Sequence, residues 1–134
     1  MIVDTGILVA LADRGDKNHR AAAAVFSLPE PKIVPEPVIG ETDWMILKYL
    51  GVEGEIAFLR SVCEGSFVVE SPTSADRERA AELAERYADA EIGYVDAVVV
   101  AMAERLKDRR VATLDRRDFS LIVPRHAPAL ELLP

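Results

Sequence analysis

Cysteine is almost absent. Cys63 is the only one, so no disulfide framework can form, which fits a reducing cytosol. Long hydrophobic runs are absent too. The longest, residues 97–103, falls far short of the ~20 residues that a membrane-spanning helix needs. Asp4 interrupts any secretory signal at the N-terminus. Basic residues are in deficit: 16 Lys and Arg stand against 23 Asp and Glu, a formal net charge of −7. The basic excess that usually marks a nucleic-acid binder is therefore missing. Such a chain can still bind nucleic acid if its carboxylates gather on metal ions and its cations on a rim. There is no Walker loop, dinucleotide fingerprint, serine-nucleophile motif or zinc-ligand spacing. No internal repeat, low-complexity tract or linker is visible. What remains is a chain of 134 residues, half of them hydrophobic. It is expected to be one domain over residues 1–134 of a soluble, cytoplasmic protein.

The N-terminal stretch organises the rest. Met1-Ile2-Val3 is apolar, Asp4-Thr5-Gly6 is small and polar, and Ile7 begins a new apolar run. A buried strand ends and a helix begins in this way. Apolar residues on both faces imply a strand covered on both sides, as in a parallel sheet. Asp4 then stands at the C-terminal end of that strand, where open α/β sheets place their ligands. Arg110-Val111-Ala112-Thr113-Leu114-Asp115 is a second β-prone run that ends in an aspartate.

Between these units the pattern alternates. Helices are expected over 5–12, 19–27, 37–50, 54–63 and 94–107, with Gly51 stopping the third. Pro72-Thr73-Ser74 opens a further amphipathic helix, with Ala80, Leu83, Ala84 and Tyr87 inward. Strands are expected at 1–3, 32–34, 67–69, 111–114 and 121–123, with a turn at 116–120. Residues 97–103 are apolar all round and predict the central buried helix. Strands alternating with helices imply a parallel sheet flanked by helices. Trp44, Tyr49 and Phe58 are expected in the core or at an interface rather than as base-stacking platforms, and His19 and His126 on the surface.

Four acids share this frame. Asp4 and Asp115 end strands, and Glu41 and Asp96 lie in first turns of apolar helices, where negative charge is favoured. Carboxylates are seldom buried unless paired or coordinating. If the four converge, each pair at ~5 Å and an effective dielectric near 20 costs about 3 kcal/mol. No lysine is placed to offset this. A hard divalent cation would, and all-oxygen ligands point to Mg²⁺ or Mn²⁺ rather than zinc. Asp118, one helical turn beyond Asp115, is a candidate fifth carboxylate or an outer support.

These residues resemble a known family. Ile2-Val3-Asp4-Thr5, Glu41 after Pro37, Tyr94-Val95-Asp96-Ala97 and Thr113-Leu114-Asp115-Arg116-Arg117-Asp118-Phe119 are similar, in order and spacing, to the PIN-domain VapC toxins. The resemblance covers nearly the whole chain. It implies a three-layer α/β/α fold with a central parallel sheet. It implies a ribonuclease in which Asp4, Glu41, Asp96 and Asp115 hold Mg²⁺ or Mn²⁺, supported by the hydroxyls of Thr5 and Thr113. The substrate implied is a structured RNA, transfer RNA or ribosomal RNA, cut in a single-stranded loop so that translation stops. Arg14, Arg116 and Arg117 are the candidate phosphate contacts, with Lys17 and Arg20 read as solubilising charge. A cognate antitoxin that brings an arginine into the acidic cluster, and a homodimer, are also implied.

Two rival readings differ in what they require. Asp4-Thr5-Gly6 matches the aspartic-protease triplet, but that fold is β-rich and the alanine-rich segments after Ile7 predict helices. A non-catalytic interaction module would use the same acidic pocket only to receive a partner's arginine.

Overall fold

Ile2 and Val3 are 0% exposed and form β1 (Ile2–Val3), the middle strand of a five-stranded sheet. The computed structural model covers residues 1–134. In chain order, α1 (Thr5–Ala12) and α2 (His19–Phe26) follow β1. Next come β2 (Ile33–Pro35), α3 (Glu36–Glu64), β3 (Val68–Glu70) and α4 (Ser74–Arg86). Then α5 (Tyr94–Leu106), β4 (Arg110–Ala112), α6 (Arg116–Leu121) and β5 (Glu131–Leu133) complete the chain. The strand order is β3-β2-β1-β4-β5 and every pair is parallel. Ile2 lies opposite both Ile33 and Val111, and Val3 opposite Ala112. No helix is long and apolar enough to cross a membrane.

The strand order determines the layers. From β1 the chain steps to β2 and β3 on one side, then returns past β1 to β4 on the other. Right-handed crossovers place α1, α2 and α3 on one face of the sheet and α4 and α5 on the other. The result is a three-layer α/β/α sandwich with a central parallel sheet. It excludes the β-rich protease reading, since Thr5 and Gly6 open a helix.

The middle of α5 is buried from Ala97 to Ala103. Val98, Val99 and Val100 are each 0% exposed, and full burial of an aliphatic side chain contributes roughly 1.5–3 kcal/mol. This helix is the centre of the core, as its unbroken apolar run predicted. It is also tied to α4 by charge. Arg79 donates to both oxygens of Glu104 at 2.8 and 3.0 Å, and Arg105 Nε donates to Asp76 Oδ2 at 2.8 Å. Asp76 and Arg79 are both buried, although the helical pattern alone reads them as solvent-facing. Thr73 and Asp76 cap α4 reciprocally, each side chain accepting from the other's backbone N–H.

The C-terminal quarter departs from expectation. Residues 116–120 are not a turn, and 121–123 are not a strand. Asp115 Oδ1 accepts from the Asp118 backbone N–H at 3.1 Å and caps α6. Phe119 and Ile122, three residues apart, are then both buried on one side. The fifth strand is instead Glu131–Leu133, in the tail, paired with β4 through Val111 and Leu132. The aromatic residues of α3 also divide. Phe58 is buried, but Trp44 and Tyr49 are exposed and form no part of the core. The two histidines are half-buried rather than on the surface; His19 Nδ1 lies 2.9 Å from the Ala10 carbonyl oxygen.

Gly51 breaks α3 as anticipated, without ending it. Its φ of 76° and ψ of −174° kink two helical segments that otherwise run on. That backbone region is essentially restricted to glycine. A Cβ there would meet nothing within 4 Å, so the constraint is purely conformational. Gly51→Ala is therefore expected to cost about 1–3 kcal/mol, read as a lower urea midpoint with an unchanged slope. A variant as stable as the parent would show that the kink is not imposed by this residue.

Candidate active site

The strand order reverses between β1 and β4, and a crevice opens at their C-terminal ends. Asp4 follows β1 directly, and its backbone N–H donates to the Ala112 carbonyl at 2.9 Å, extending the ladder by one bond. Thr113 follows β4 and donates its hydroxyl to Asp4 Oδ2 at 2.7 Å. The same Thr113 oxygen accepts from the backbone N–H of Asp115 at 2.9 Å, which fixes the turn. Across the crevice, Thr5 Oγ1 donates to Glu41 Oε2 at 2.7 Å. Each threonine thus holds one carboxylate by a charge-assisted bond.

The resulting open cleft has a volume of about 480 Å³ and is lined by Asp4, Thr5, Gly6, Glu41, Met45, Asp96, Leu114 and Asp115. All four acids singled out in the sequence reach it, and no Lys or Arg lines it. One carboxylate oxygen each from Asp96, Asp115 and Asp118 lie within 4.8 Å of one another. Asp118 therefore belongs with the cluster. Its Oδ1 is buried without a hydrogen-bond partner, and Arg117 Nε is 3.7 Å away. Asp96 is in the first turn of α5, as expected. Glu41 is not in a first turn: α3 begins at Glu36, so Glu41 sits in the second turn and gains less from the helix dipole.

The electrostatics register the crowding. Burial pushes the Asp96 carboxyl up to about 7, aided by repulsion from Asp4, Asp115, Glu41 and Asp118. Burial also raises the Asp4 carboxyl, and the hydroxyl of Thr113 and the backbone of Thr5 only partly offset this. The donor set is all carboxylate oxygen; no protein cation lines the cleft of Asp4, Glu41, Asp96 and Asp115, and Asp118 Oδ1, with only the long Arg117 contact, is buried without a hydrogen-bond partner. Those properties fit a hard divalent cation.

The basic candidates separate by position. Arg116 and Arg117 open α6 directly after Asp115 and stand at the rim, Arg117 strongly exposed. Arg14 follows the far end of α1, eight helical residues from the cleft, about 12 Å at 1.5 Å per residue. Gly6, Met45 and Leu114 line the cleft without having been anticipated. Gly6 directly follows Asp4 and Thr5 in sequence, while Met45 and Leu114 carry no local signal; a Cβ at Gly6 would make only ordinary contact with the Leu114 side chain.

A parallel sheet in this strand order, with carboxylates from four separate segments at its switch point, defines a class. The chain belongs to the PIN domain family, whose model matches residues 1–122. It is 34% identical over 125 residues to Ribonuclease VapC26 of Mycobacterium tuberculosis (strain ATCC 25618 / H37Rv), covering 92% of this chain and 93% of that protein. The crystal structure of Mycobacterium tuberculosis VapC20, described as a sarcin–ricin loop cleaving toxin, superposes with a TM-score of 0.83 at 26% identity, over 95% of this chain and 98% of that one. A toxin–antitoxin complex from Klebsiella pneumoniae shares the fold, with a TM-score of 0.65 at 22% identity over 90% of this chain and 91% of that one.

The raised Asp96 carboxyl has a consequence for stability. Its unfolded value is near 3.8 and its folded value about 7, so the folded state holds the extra proton between them. Stability of the metal-free protein therefore falls as pH rises from about 4 to about 7. Asp96→Asn removes this contribution. Its melting temperature is expected to exceed the parent's at pH 8 and to approach it at pH 4. Equal differences at both pH values, followed by thermal denaturation in EDTA, would contradict the assignment.

Proposed function

We propose that this chain is an endoribonuclease dependent on Mg²⁺ or Mn²⁺, the toxin of a toxin–antitoxin pair, acting as one PIN domain over residues 1–134. One observation carries the reading: carboxylates from four separate segments line one open cleft that no protein cation enters. The 34% identity to Ribonuclease VapC26 supports it.

In this reading Asp4, Glu41, Asp96 and Asp115 hold the metal, with Asp118 beside them. When bound, the cation lowers the pKa of a water and offsets charge gathering on the phosphate oxygens. Thr113 and Thr5 hold Asp4 and Glu41 in fixed orientation through the hydroxyl bonds described above. Asp96 orients the attacking water and accepts its proton. The water oxygen bonds to phosphorus as the P–O bond opposite breaks, the departing ribose oxygen takes a proton from solvent, and the RNA is released as two pieces. Arg116 and Arg117, at the rim, contact flanking phosphates; Arg14 contacts RNA only if the strand extends past α1.

The substrate proposed is transfer RNA or ribosomal RNA, cut in a single-stranded loop with arrest of translation. The VapC20 description as a sarcin–ricin loop cleaving toxin favours a ribosomal target. The antitoxin would place an arginine in the same cleft, where a guanidinium meets the carboxylates bidentately. A homodimer is also proposed, and the exposed Val52, Ile56 and Leu59 beyond the kink of α3 offer it an apolar surface.

Asp4→Asn, Asp96→Asn and Asp115→Asn are each expected to abolish metal-dependent RNA cleavage while the circular dichroism spectrum is kept. Mg²⁺ or Mn²⁺ should also raise the melting temperature, by the equivalent of about 2.7 kcal/mol at a hundred times Kd. Full activity in all three variants would overturn the metal-site assignment. Tight partner binding with no cleavage at any metal concentration would favour the interaction module instead.

A further inference from the structure

Along α3, directly beside the cleft, runs an aromatic and cationic ridge that the carboxylate chemistry does not use. Trp44 is 60% and Tyr49 63% exposed, and neither packs into the core. Lys48 stands between them, its Nζ 4.9 Å from the Trp44 ring centroid and 5.3 Å from that of Tyr49. On a helix, residues three and four apart are neighbours. Glu41 is thus beside Trp44 and Met45, and both of those are beside Lys48. Glu41 and Met45 line the cleft, so the ridge begins where the cleft ends. The rise of 1.5 Å per residue carries Lys48 about 10 Å along the helix from Glu41.

We infer that Trp44, Lys48 and Tyr49 form a stacking platform for the bases of a single-stranded RNA whose scissile phosphate lies in the carboxylate cleft. The inference rests on the nuclease reading for the strand's direction into the cleft. Two features favour RNA over a protein partner. The platform is continuous with the cleft, so a strand whose phosphate is cut there must pass over it or turn away. It also combines flat aromatic surface with a cation, the pair of features that single strands use: bases stack on rings and phosphates meet ammonium groups. On an acidic chain this cation is not part of a general basic background. The Lys48 contacts with both rings hold the three side chains together before any ligand arrives.

Trp44 is the only tryptophan, so its emission reports on the platform alone. The full chain, with Ca²⁺ in place of Mg²⁺ so that the carboxylates are neutralised without rapid cleavage, is titrated with a short fluorescein-labelled oligoribonucleotide. A saturable quench of Trp44 that tracks the label's anisotropy is expected, with no quench by the duplex form. Tyr49→Ala should weaken binding on the order of tenfold, as for loss of one stacked base, and Lys48→Ala on the order of tenfold through loss of a phosphate contact and of the contacts that hold the two rings. With Mg²⁺ present, Trp44→Ala should raise KM and leave kcat unchanged. Absence of a quench overturns the inference, whether or not the oligonucleotide binds elsewhere. So does unchanged RNA affinity in Trp44→Ala with loss of self-association in light scattering, which assigns the ridge to a second copy of the chain. The titration needs no cleavage. A quench in a chain that cuts no RNA therefore refutes the nuclease reading alone, and normal cleavage without a quench refutes the platform alone.

Discussion

Repulsion among like charges is the constraint around which this molecule is built. Asp4, Glu41, Asp96 and Asp115 share one cleft with no protein cation among them. The start of α5 favours an ionised Asp96, but that effect is worth about 0.3–1 kcal/mol. One pKa unit is about 1.4 kcal/mol. The dipole therefore cannot reverse a shift from 3.8 to about 7, and burial with repulsion wins at that position. The arrangement persists because the acids sit on elements whose burial is favourable for other reasons: β1, which water does not reach, and α5, whose apolar middle fills the core.

Topology explains why four distant segments meet. In a parallel sheet every strand delivers its C-terminal end to the same edge. Where the order reverses, the flanking helices diverge to opposite faces and leave a gap. Here the reversal lies between β1 and β4, the two strands that end near Asp4 and Asp115. The helix after β2 and the one before β4 then begin at that same edge, which brings Glu41 and Asp96 to it. Thr5 and Thr113, each next to a strand end, bond the two carboxylates across the gap. The folding determinants and the site are thus the same short segments of chain.

What the sequence disclosed follows the strength of its local signals. β1 and its terminal aspartate were legible because apolar, small and apolar runs abut at residues 1–8. The buried helix was legible because 97–103 has no polar face. The C-terminal quarter was not. Leu121-Ile122-Val123 has strand composition, yet the Asp115 cap nucleates a helix just ahead of it, and Phe119 and Ile122 bury together. The true edge strand, Glu131–Leu133, lies in a tail flanked by Pro128 and Pro134 that reads as irregular, and it is defined only by pairing with β4. The buried Arg79–Glu104 pair on α4 and α5 was hidden for a similar reason: partners 25 residues apart look like two solvated charges until the helices pack. Asp118 joined the acidic cluster through the same cap that made α6.

The exposure of Trp44 and Tyr49, which leaves only the interface half of what the sequence suggested for them, has most bearing on function. An acidic chain repels a polyanion, but at physiological ionic strength that repulsion is screened within about 8 Å. It acts mainly where the strand already touches the protein. On the nuclease reading, a bound cation cancels it inside the cleft. Outside, affinity has to come from contacts that do not depend on net charge, and base stacking is one, since every base has a face to offer. A net charge of −7 is then compatible with RNA as substrate. On the nuclease reading, the negative charge acts at the carboxylates, while a few uncharged rings and scattered cations would hold the strand.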